Sequence, residues 1–307
     1  MPPAEGGGME IIMKNSRVKG NLMLLITATI WGVAFVAQSV GMDYVGPFTF
    51  NGVRFLIGGI ILIPCSFILQ KYDNKKEFVE DKKKLYIGGL LCGILMFGAT
   101  SFQQFGILYT SVGKTGFITA LYVILVPIMG ILIKRKVRFT IWIGAVIAVA
   151  GFYLLCINEG FSIAFGDILV FVCAIFFALH IMVVDYFVPY VNGVKLSCIQ
   201  FIVAGIISSI CMFIFEKPEI GSICSAWQPI LYAGILSCGV AYTLQIIGQK
   251  YTNPFLASLI LSLESVISVL AGWLILGEVL SAKELIGCGL VFVAILIAQW
   301  PEKKAND

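Results

Sequence analysis

A carboxyl group lies in the middle of a strongly apolar stretch of this chain. Glu264 is ten residues into the segment 254–276, which at ~1.5 Å per residue places it roughly 15 Å from one end of a helix. An ionised carboxylate at the centre of a bilayer costs about 2.5–3.5 kcal/mol, so residues of this kind are usually functional. Glu264 therefore predicts a site for a cation, a substrate amine or a proton. The structural alternative is a side chain held by Ser262, Ser265 or Ser268, or protonated, as part of helix packing.

An internal repeat predicts a partner for this carboxyl group. The stretch from Gln103 to Lys134 is apolar, then polar and glycine-containing, then apolar again, and a second copy begins at Gln245. Repeats of this kind decide the architecture of a chain. One constant offset aligns Gln103 with Gln245, Gly106 with Gly248, Tyr109-Thr110 with Tyr251-Thr252, and Gly130 with Gly272. The same offset places Tyr122 opposite Glu264, so a hydroxyl and a carboxyl are expected to face a common region near the midplane.

Four further polar residues of the apolar segments are candidates for a site. The amides of Gln103 and Gln245 either contact substrate or act as interhelical hydrogen bonds worth roughly 0.6–2 kcal/mol. His180 is the only histidine, and its ring either couples transport to protons or is a hydrogen-bonded packing residue. Arg54 lies early in its segment, where a long side chain can extend toward the interface, so a structural contact to Asp43 or a backbone carbonyl is expected.

Other chemistries find little support in the sequence. The nine cysteines are scattered, no two form a Cys-x-x-Cys pair, and with one histidine neither a metal site nor a redox cofactor is expected. Gly113-Lys114-Thr115 lacks the upstream glycine and the preceding strand of a phosphate-binding loop, which excludes ATP as a driver. Trp31 is an aromatic candidate for lining a cavity that accepts flat or amphiphilic solutes and their cations.

The composition indicates that these residues are carried by a membrane protein. Hydrophobic residues make up 59% of the 307 and charged residues 12%, with a mean hydropathy of +0.98. A soluble protein of this size could not bury so much apolar surface, whereas a bilayer accepts it. The partners expected are therefore membrane lipid and a small-molecule substrate, and the net charge of +4 does not indicate nucleic-acid binding.

About ten membrane spans are predicted, all helical. Segments of about 20 apolar residues fill a bilayer. The predicted spans are 20–41, 48–70, 86–109, 113–133, 140–157, 166–187, 194–215, 228–248, 254–276 and 282–300, between a disordered N-terminal tail over 1–19 and a C-terminal tail over 301–307. Basic clusters at Lys14–Lys19, Lys71–Lys84 and Lys134–Arg138 place both termini in the cytoplasm. Because five spans is an odd number, the second copy of the repeat must cross the membrane in the opposite sense.

The chain resembles the EamA-type transporters of the drug/metabolite transporter superfamily. The resemblance rests on Trp31-Gly32, Arg54-Phe55, the hairpin from Gly106 to Ser111, and Leu263-Glu264 followed by Leu276-Gly277-Glu278. It implies ten transmembrane helices in two inverted five-helix repeats, 20–157 and 166–300, around a central cavity. It also implies transport of small metabolites, often amino acids and usually outward, across a bacterial inner membrane. The proline that often follows the ninth-helix glutamate in that family is Ser265 here.

These observations together predict a secondary transporter and no catalytic residues. It would move amino acids or related amphiphilic or cationic compounds by alternating access, as an exporter. The expected substrate-binding residues are Trp31, Gln103, Tyr122, Gln245 and Glu264, and the expected proton-coupling residues are Glu264 and His180. Proton antiport and uncoupled exit are both compatible with the sequence. A monomer suffices, since one chain carries both halves of a pathway. The alternative, an integral membrane enzyme acting on lipid-like substrates, would need a cluster of His, Asp or Lys near one interface.

Overall fold

The computed structural model describes residues 6–72, 80–110, 112–156, 164–276 and 282–299, and over these ranges the chain is helical and contains no β-strand. The first seven helices are α1 (Gly6–Gly41), α2 (Pro47–Tyr72), α3 (Lys82–Ile107), α4 (Val112–Ala120), α5 (Tyr122–Leu132), α6 (Phe139–Cys156) and α7 (Phe165–Phe187). A 3-10 turn (Val188–Tyr190) precedes α8 (Gly193–Phe215), α9 (Ile220–Ser225) and α10 (Trp227–Leu231). A π-helical stretch (Tyr232–Ala241) then leads into α11 (Tyr242–Gln249), α12 (Pro254–Leu261), α13 (Glu264–Leu276) and α14 (Ala282–Gln299).

Within the described residues, eight helical stretches are long and apolar enough to cross a bilayer, so the protein is a multi-pass membrane protein. They are Ser16–Gly41, Pro47–Ile68, Lys82–Ile107, Thr115–Leu132, Phe165–Tyr190, Gly193–Phe215, Trp227–Gln249 and Pro254–Ile275. Each coincides with a span predicted from the sequence. The other two predicted spans, 140–157 and 282–300, coincide with the shorter apolar helices Phe139–Gly151 and Leu285–Ala298.

The N-terminal tail differs from its prediction. Helix α1 begins at Gly6, so most of the segment 1–19 that was expected to be disordered is helical. A run of good helix formers such as Met9, Glu10 and Lys14 extends the first membrane helix backward, which the glycines and prolines of the tail do not prevent. The predicted C-terminal tail, 301–307, and Gly277-Glu278 lie outside the described residues.

Two of the spans are interrupted near their middle. Helix α4 ends at Ala120 and α5 begins at Tyr122, while α12 ends at Leu261 and α13 begins at Glu264. The tighter i to i−3 hydrogen bond from Leu121 N to Ile118 O, 3.2 Å, marks the first break, and an equivalent 3.2 Å bond from Leu263 N to Ile260 O marks the second. Both breaks place a polar side chain, Tyr122 or Glu264, at the start of the next half-helix.

Close helix contacts surround these interrupted spans. Helix α2 packs on α8, α6 packs on α14, α3 packs on α7, and α1 packs on α11 and the π-helical stretch. Glycines permit the short distances: a Cβ at Gly151 would lie 2.7 Å from the Gly287 carbonyl, and one at Gly58 would lie 2.6 Å from Cys238 Cβ. Every residue of α12 is buried, so this half-helix is enclosed by protein on all sides.

Candidate functional site

A small cavity of about 30 Å³ lies where the interrupted spans meet the central helices. That volume has room for about one or two water molecules, so the lining residues are close together in this conformation. Its lining combines aromatic rings with a few amide, hydroxyl and charged groups: Trp31, Ala34, Phe35, Gln38, Arg54, Gln103, Tyr122, Phe177, Ile181, Ser237, Tyr242, Gln245 and Glu264. All five residues expected to bind substrate, Trp31, Gln103, Tyr122, Gln245 and Glu264, are therefore among those that line one cavity.

Tyr122 and Glu264 are in direct contact across this cavity. The Tyr122 hydroxyl donates a 2.9 Å hydrogen bond to Glu264 Oε1, between residues 142 positions apart in the sequence. Both side chains are buried, and each belongs to the first turn of a half-helix. The N-terminus of a helix carries a partial positive charge that favours a carboxylate. The break and the tyrosine together hold a carboxyl group in a defined position inside the membrane.

The three nearby serines do not hold Glu264. Ser262 Oγ donates to the Leu259 carbonyl at 2.7 Å, and Ser268 Oγ donates to the Ser265 carbonyl at 2.8 Å. Ser265 Oγ donates to the Gly116 carbonyl at 2.9 Å and so ties α13 to α4. The serine contacts expected in the structural alternative are therefore not made, whereas its other form, a protonated Glu264 in helix packing, stays a prediction.

The two glutamines predicted from the repeat make different contacts. Gln103 Nε2 donates to Thr119 Oγ1 at 3.2 Å, which links α3 to α4. Gln245 Nε2 donates to Gln249 Oε1 at 3.0 Å, and Gln249 Nε2 donates to the Ile181 carbonyl at 3.0 Å. Gln245 Oε1 is buried and has no hydrogen-bond partner among the described residues.

Trp31 forms an aromatic wall with Tyr242. Their ring centroids are 4.4 Å apart at 52°, and Tyr242 packs edge-on against Phe201 at 5.3 Å. The indole Nε1 is buried, and within the described part of the chain nothing accepts a hydrogen bond from it. The wall therefore includes one buried hydrogen-bond donor that no described residue satisfies.

His180 lies apart from the lining residues. It is fully buried in α7, where Nε2 is 3.0 Å from Gln200 Oε1 of α8, and its ring packs edge-on against Tyr242 at 6.2 Å. His180 therefore makes one hydrogen bond next to the aromatic wall, while its Nδ1 is buried and has no hydrogen-bond partner among the described residues.

Arg54 lines the cavity, which the sequence did not lead us to expect. Its side chain is 3% exposed, and the guanidinium carbon lies 5.3 Å from the Phe50 ring centroid and 4.9 Å from that of Phe55. These two rings replace the expected contact to Asp43. Gln38, near the end of its span, also lines the cavity. The sequence feature that could have predicted this position is an arginine inside an apolar span with no acidic residue one helical turn away.

A wider vestibule lies next to the cavity. It encloses about 650 Å³ and is lined by basic residues of the predicted cytoplasmic side, Arg17, Arg138 and Lys250, together with Asp185 and Gln249. Arg135 forms an ion pair with Asp185 at this mouth. Ile181 and Gln245 of the cavity lie one helical turn from Asp185 and Gln249 of the vestibule, so the Gln245–Gln249–Ile181 hydrogen bonds separate the two spaces.

A metal site is not formed by the part of the chain that the structure describes: no group of three or more His, Cys, Asp or Glu residues there is placed to hold an ion. The polar lining of the cavity consists of hydrogen-bonding and charged groups suited to binding an organic solute.

Several known proteins are similar to this chain in sequence or in fold. The sequence profile of the EamA-like transporter family matches residues 18–157 and 164–299. An uncharacterized transporter of Archaeoglobus fulgidus is 32% identical over 298 residues, covering 95% of this chain and 88% of the relative. The uncharacterized transporter YoaV of Bacillus subtilis is 23% identical over 286 residues (91% and 96% covered), and the uncharacterized inner membrane transporter YedA of Escherichia coli is 25% identical over 276 residues (87% and 86%).

A solved structure described as the crystal structure of a protein superposes with a TM-score of 0.74 at 20% identity, covering 91% of this chain and 96% of its own. This likeness concerns the fold alone.

Proposed function

The chain belongs to the EamA-like transporter family, and on that premise we propose that it is a secondary transporter that exports small metabolites, amino acids or related compounds, across a bacterial inner membrane by alternating access. The observation that carries the proposal is the buried Tyr122–Glu264 hydrogen bond inside a cavity enclosed by two interrupted spans. Discontinuous helices that bring polar groups to the midplane are a recurring way of building a transporter site.

The two interrupted spans belong to two inverted five-helix repeats in this proposal. Support comes from the family profile, which matches two segments of similar length, and from breaks at equivalent positions of both segments. The helix contacts support a two-fold arrangement, because α3 of the first half packs on α7 of the second, and α11 of the second packs on α1 of the first. With α6 and α14 as the fifth spans, the chain crosses the membrane ten times and both termini are cytoplasmic.

Proton coupling in this proposal rests with Glu264 and not with His180. Glu264 lines the cavity, and its carboxyl group can accept a hydrogen bond from a substrate ammonium group while Tyr122 holds it in position. His180 keeps its contact to Gln200 behind the cavity wall. A carboxyl group that binds either a proton or the substrate's ammonium group, but not both, links the two in opposite directions, as an antiporter requires.

The test is uptake of radiolabelled amino acids into inverted membrane vesicles, with and without an imposed proton gradient. Wild type is compared with Glu264→Gln and with a matched acid-to-amide control, Glu219→Gln, whose side chain is exposed outside the cavity. We expect gradient-driven accumulation in wild type and control and its loss in Glu264→Gln. Flux that ignores the gradient and survives Glu264→Gln would remove Glu264 from the mechanism. An absence of flux for every amino acid tested would contradict the proposed amino-acid transport.

A further inference from the structure

Arg54 is a buried cation, and no acidic side chain among the described residues forms an ion pair with it. Among the described residues the ion pairs join Arg135 to Asp185 and Lys195 to Glu80, and none includes Arg54. Its Nε is buried and has no hydrogen-bond partner there either. Leaving a buried charge uncompensated is costly, typically several kcal/mol, and proteins accept that cost mainly where a ligand or a partner completes the site.

The described residues around Arg54 contact its guanidinium group but do not accept a hydrogen bond from its Nε. Phe50 and Phe55 contact it through their rings, at 5.3 and 4.9 Å from the guanidinium carbon. Cation–π contacts orient the planar group and leave its N–H donors, which lie in the plane, directed elsewhere. A guanidinium presented in this way matches the two oxygens of a carboxylate.

The other unsatisfied groups of the cavity divide into donors and acceptors. Trp31 Nε1 is a donor, and Gln38 Oε1 and Gln245 Oε1 are acceptors, each buried and without a hydrogen-bond partner in the described ranges. Arg54 adds a further donor and Glu264 a further acceptor. The lining is therefore complementary to a ligand that has an anionic group and a hydrogen-bond-donating or cationic group. A simple cation would leave Arg54 and Trp31 unsatisfied.

We propose that Arg54 is the specificity-determining residue of the cavity and pairs with a carboxylate of the substrate. This inference rests on the proposed transport function and narrows it: amino carboxylates are substrates, and cations that lack a carboxylate are excluded. The vestibule agrees, since the basic residues Arg17 and Arg138 line it. A mouth lined by basic residues raises the local concentration of anionic groups.

The experiment compares substrates that differ only in their charged groups. Inverted vesicles are supplied with leucine, leucinamide and 4-methylpentanoate, and with phenylalanine, phenylalaninamide and 3-phenylpropionate, for wild type, Arg54→Met and Arg54→Lys. In wild type we expect the amides to be transported at least tenfold more slowly than the amino acids. Arg54→Met should raise the KM for the amino acids at least tenfold and change that for the amides less than twofold, while Arg54→Lys should recover part of the loss.

The outcomes separate this inference from the proposed function. Amides transported as well as the amino acids by wild type would overturn the role of Arg54 while leaving transport standing, and this comparison needs no variant to fold. If Arg54→Met raised the KM for the amino acids and for their amides equally, while the protein kept its stability in detergent, the proposed role of Arg54 would also be overturned. Failure of all six probes in wild type would count against the proposed amino-acid transport itself.

Discussion

At the scale of single residues, the Tyr122–Glu264 hydrogen bond can be removed without changing the shape of the cavity. Tyr122→Phe deletes one hydroxyl and keeps the ring, so Glu264 loses its 2.9 Å donor while the wall of the cavity stays. A hydrogen bond to a charged group contributes about 1.5–3 kcal/mol. We expect transport by Tyr122→Phe to fall at least tenfold in kcat/KM. The comparison is Tyr86→Phe, a side chain 65% exposed on α3, which should leave transport unchanged.

A second residue-scale prediction concerns His180. Because its ring contacts Gln200 and Tyr242 and does not line the cavity, His180→Gln should keep the dependence of transport on the proton gradient. Losing a buried contact should instead lower thermal stability in detergent, by roughly 1–3 kcal/mol. Gradient dependence is measured in vesicles, and thermal stability is measured on the same protein after extraction in detergent. If the gradient dependence disappears in a stable His180→Gln protein, proton coupling belongs to His180.

Part of this site follows from the sequence and part does not. The offset of the repeat was enough to place Tyr122 opposite Glu264, because equivalent residues of two similar halves meet on a common axis. For Arg54 the sequence predicts a structural contact to Asp43 or a backbone carbonyl instead, since a membrane helix is apolar on every side and its rotation cannot be read from hydropathy. That rotation is set by close packing of α2 on α8, at Gly59 against Ile202 and Gly52 against Ser209.

At the scale of helices, the close crossing of α1 and α13 positions the start of α13, which carries Glu264. A Cβ at Gly32 would lie 2.4 Å from Ile267 Cβ and 2.8 Å from the Glu264 carbonyl oxygen. Gly32→Ala must therefore push α13 away at the residue that carries the carboxyl group. Overpacking of this kind costs about 1–3 kcal/mol. We expect a lower unfolding temperature and weaker transport.

The control for that substitution is Gly289→Ala in α14, where an added Cβ meets nothing within 4 Å. Alanine is a better helix former than glycine, so this change should leave the unfolding temperature equal or slightly higher. Equal effects of the two substitutions would mean that the α1–α13 crossing adapts and does not position Glu264.

The helix breaks illustrate what composition alone does not show. No proline or glycine occurs at the breaks, which lie at Leu121 and at Ser262-Leu263. Hydropathy therefore predicts uninterrupted spans there. At the second break, Ser262 donates its hydroxyl back to the Leu259 carbonyl and competes with the regular backbone bond. The interruption comes from such side-chain competition and from tertiary packing, which short-range sequence patterns do not encode.

At the scale of the whole molecule, the two halves hold one another at opposite ends. Glu216, after α8, accepts hydrogen bonds from the backbone N–H groups of Phe48 and Thr49 at 2.8 Å each, at the turn between α1 and α2. Glu80, before α3, accepts bonds from Asn192 N at 3.0 Å and Lys195 Nζ at 2.8 Å, at the turn between α7 and α8. Each half thus fixes the first turn of the other. For two inverted repeats these contacts would lie on opposite faces of the membrane.

This arrangement is open to a direct test, because the connections after the second span of each half must then face opposite sides. Cys224 lies in the later connection and is the exposed cysteine among those the structure describes. In spheroplasts a membrane-impermeant maleimide should label wild type and not Cys224→Ser. Lys83→Cys in the Cys224→Ser background tests the earlier connection, at an exposed residue near the start of α3, and should be labelled only after permeabilisation. Labelling of both positions from outside would mean parallel repeats. Labelling of Lys83→Cys alone would reverse the assignment of both termini to the cytoplasm, since the basic clusters orient every span in the chain.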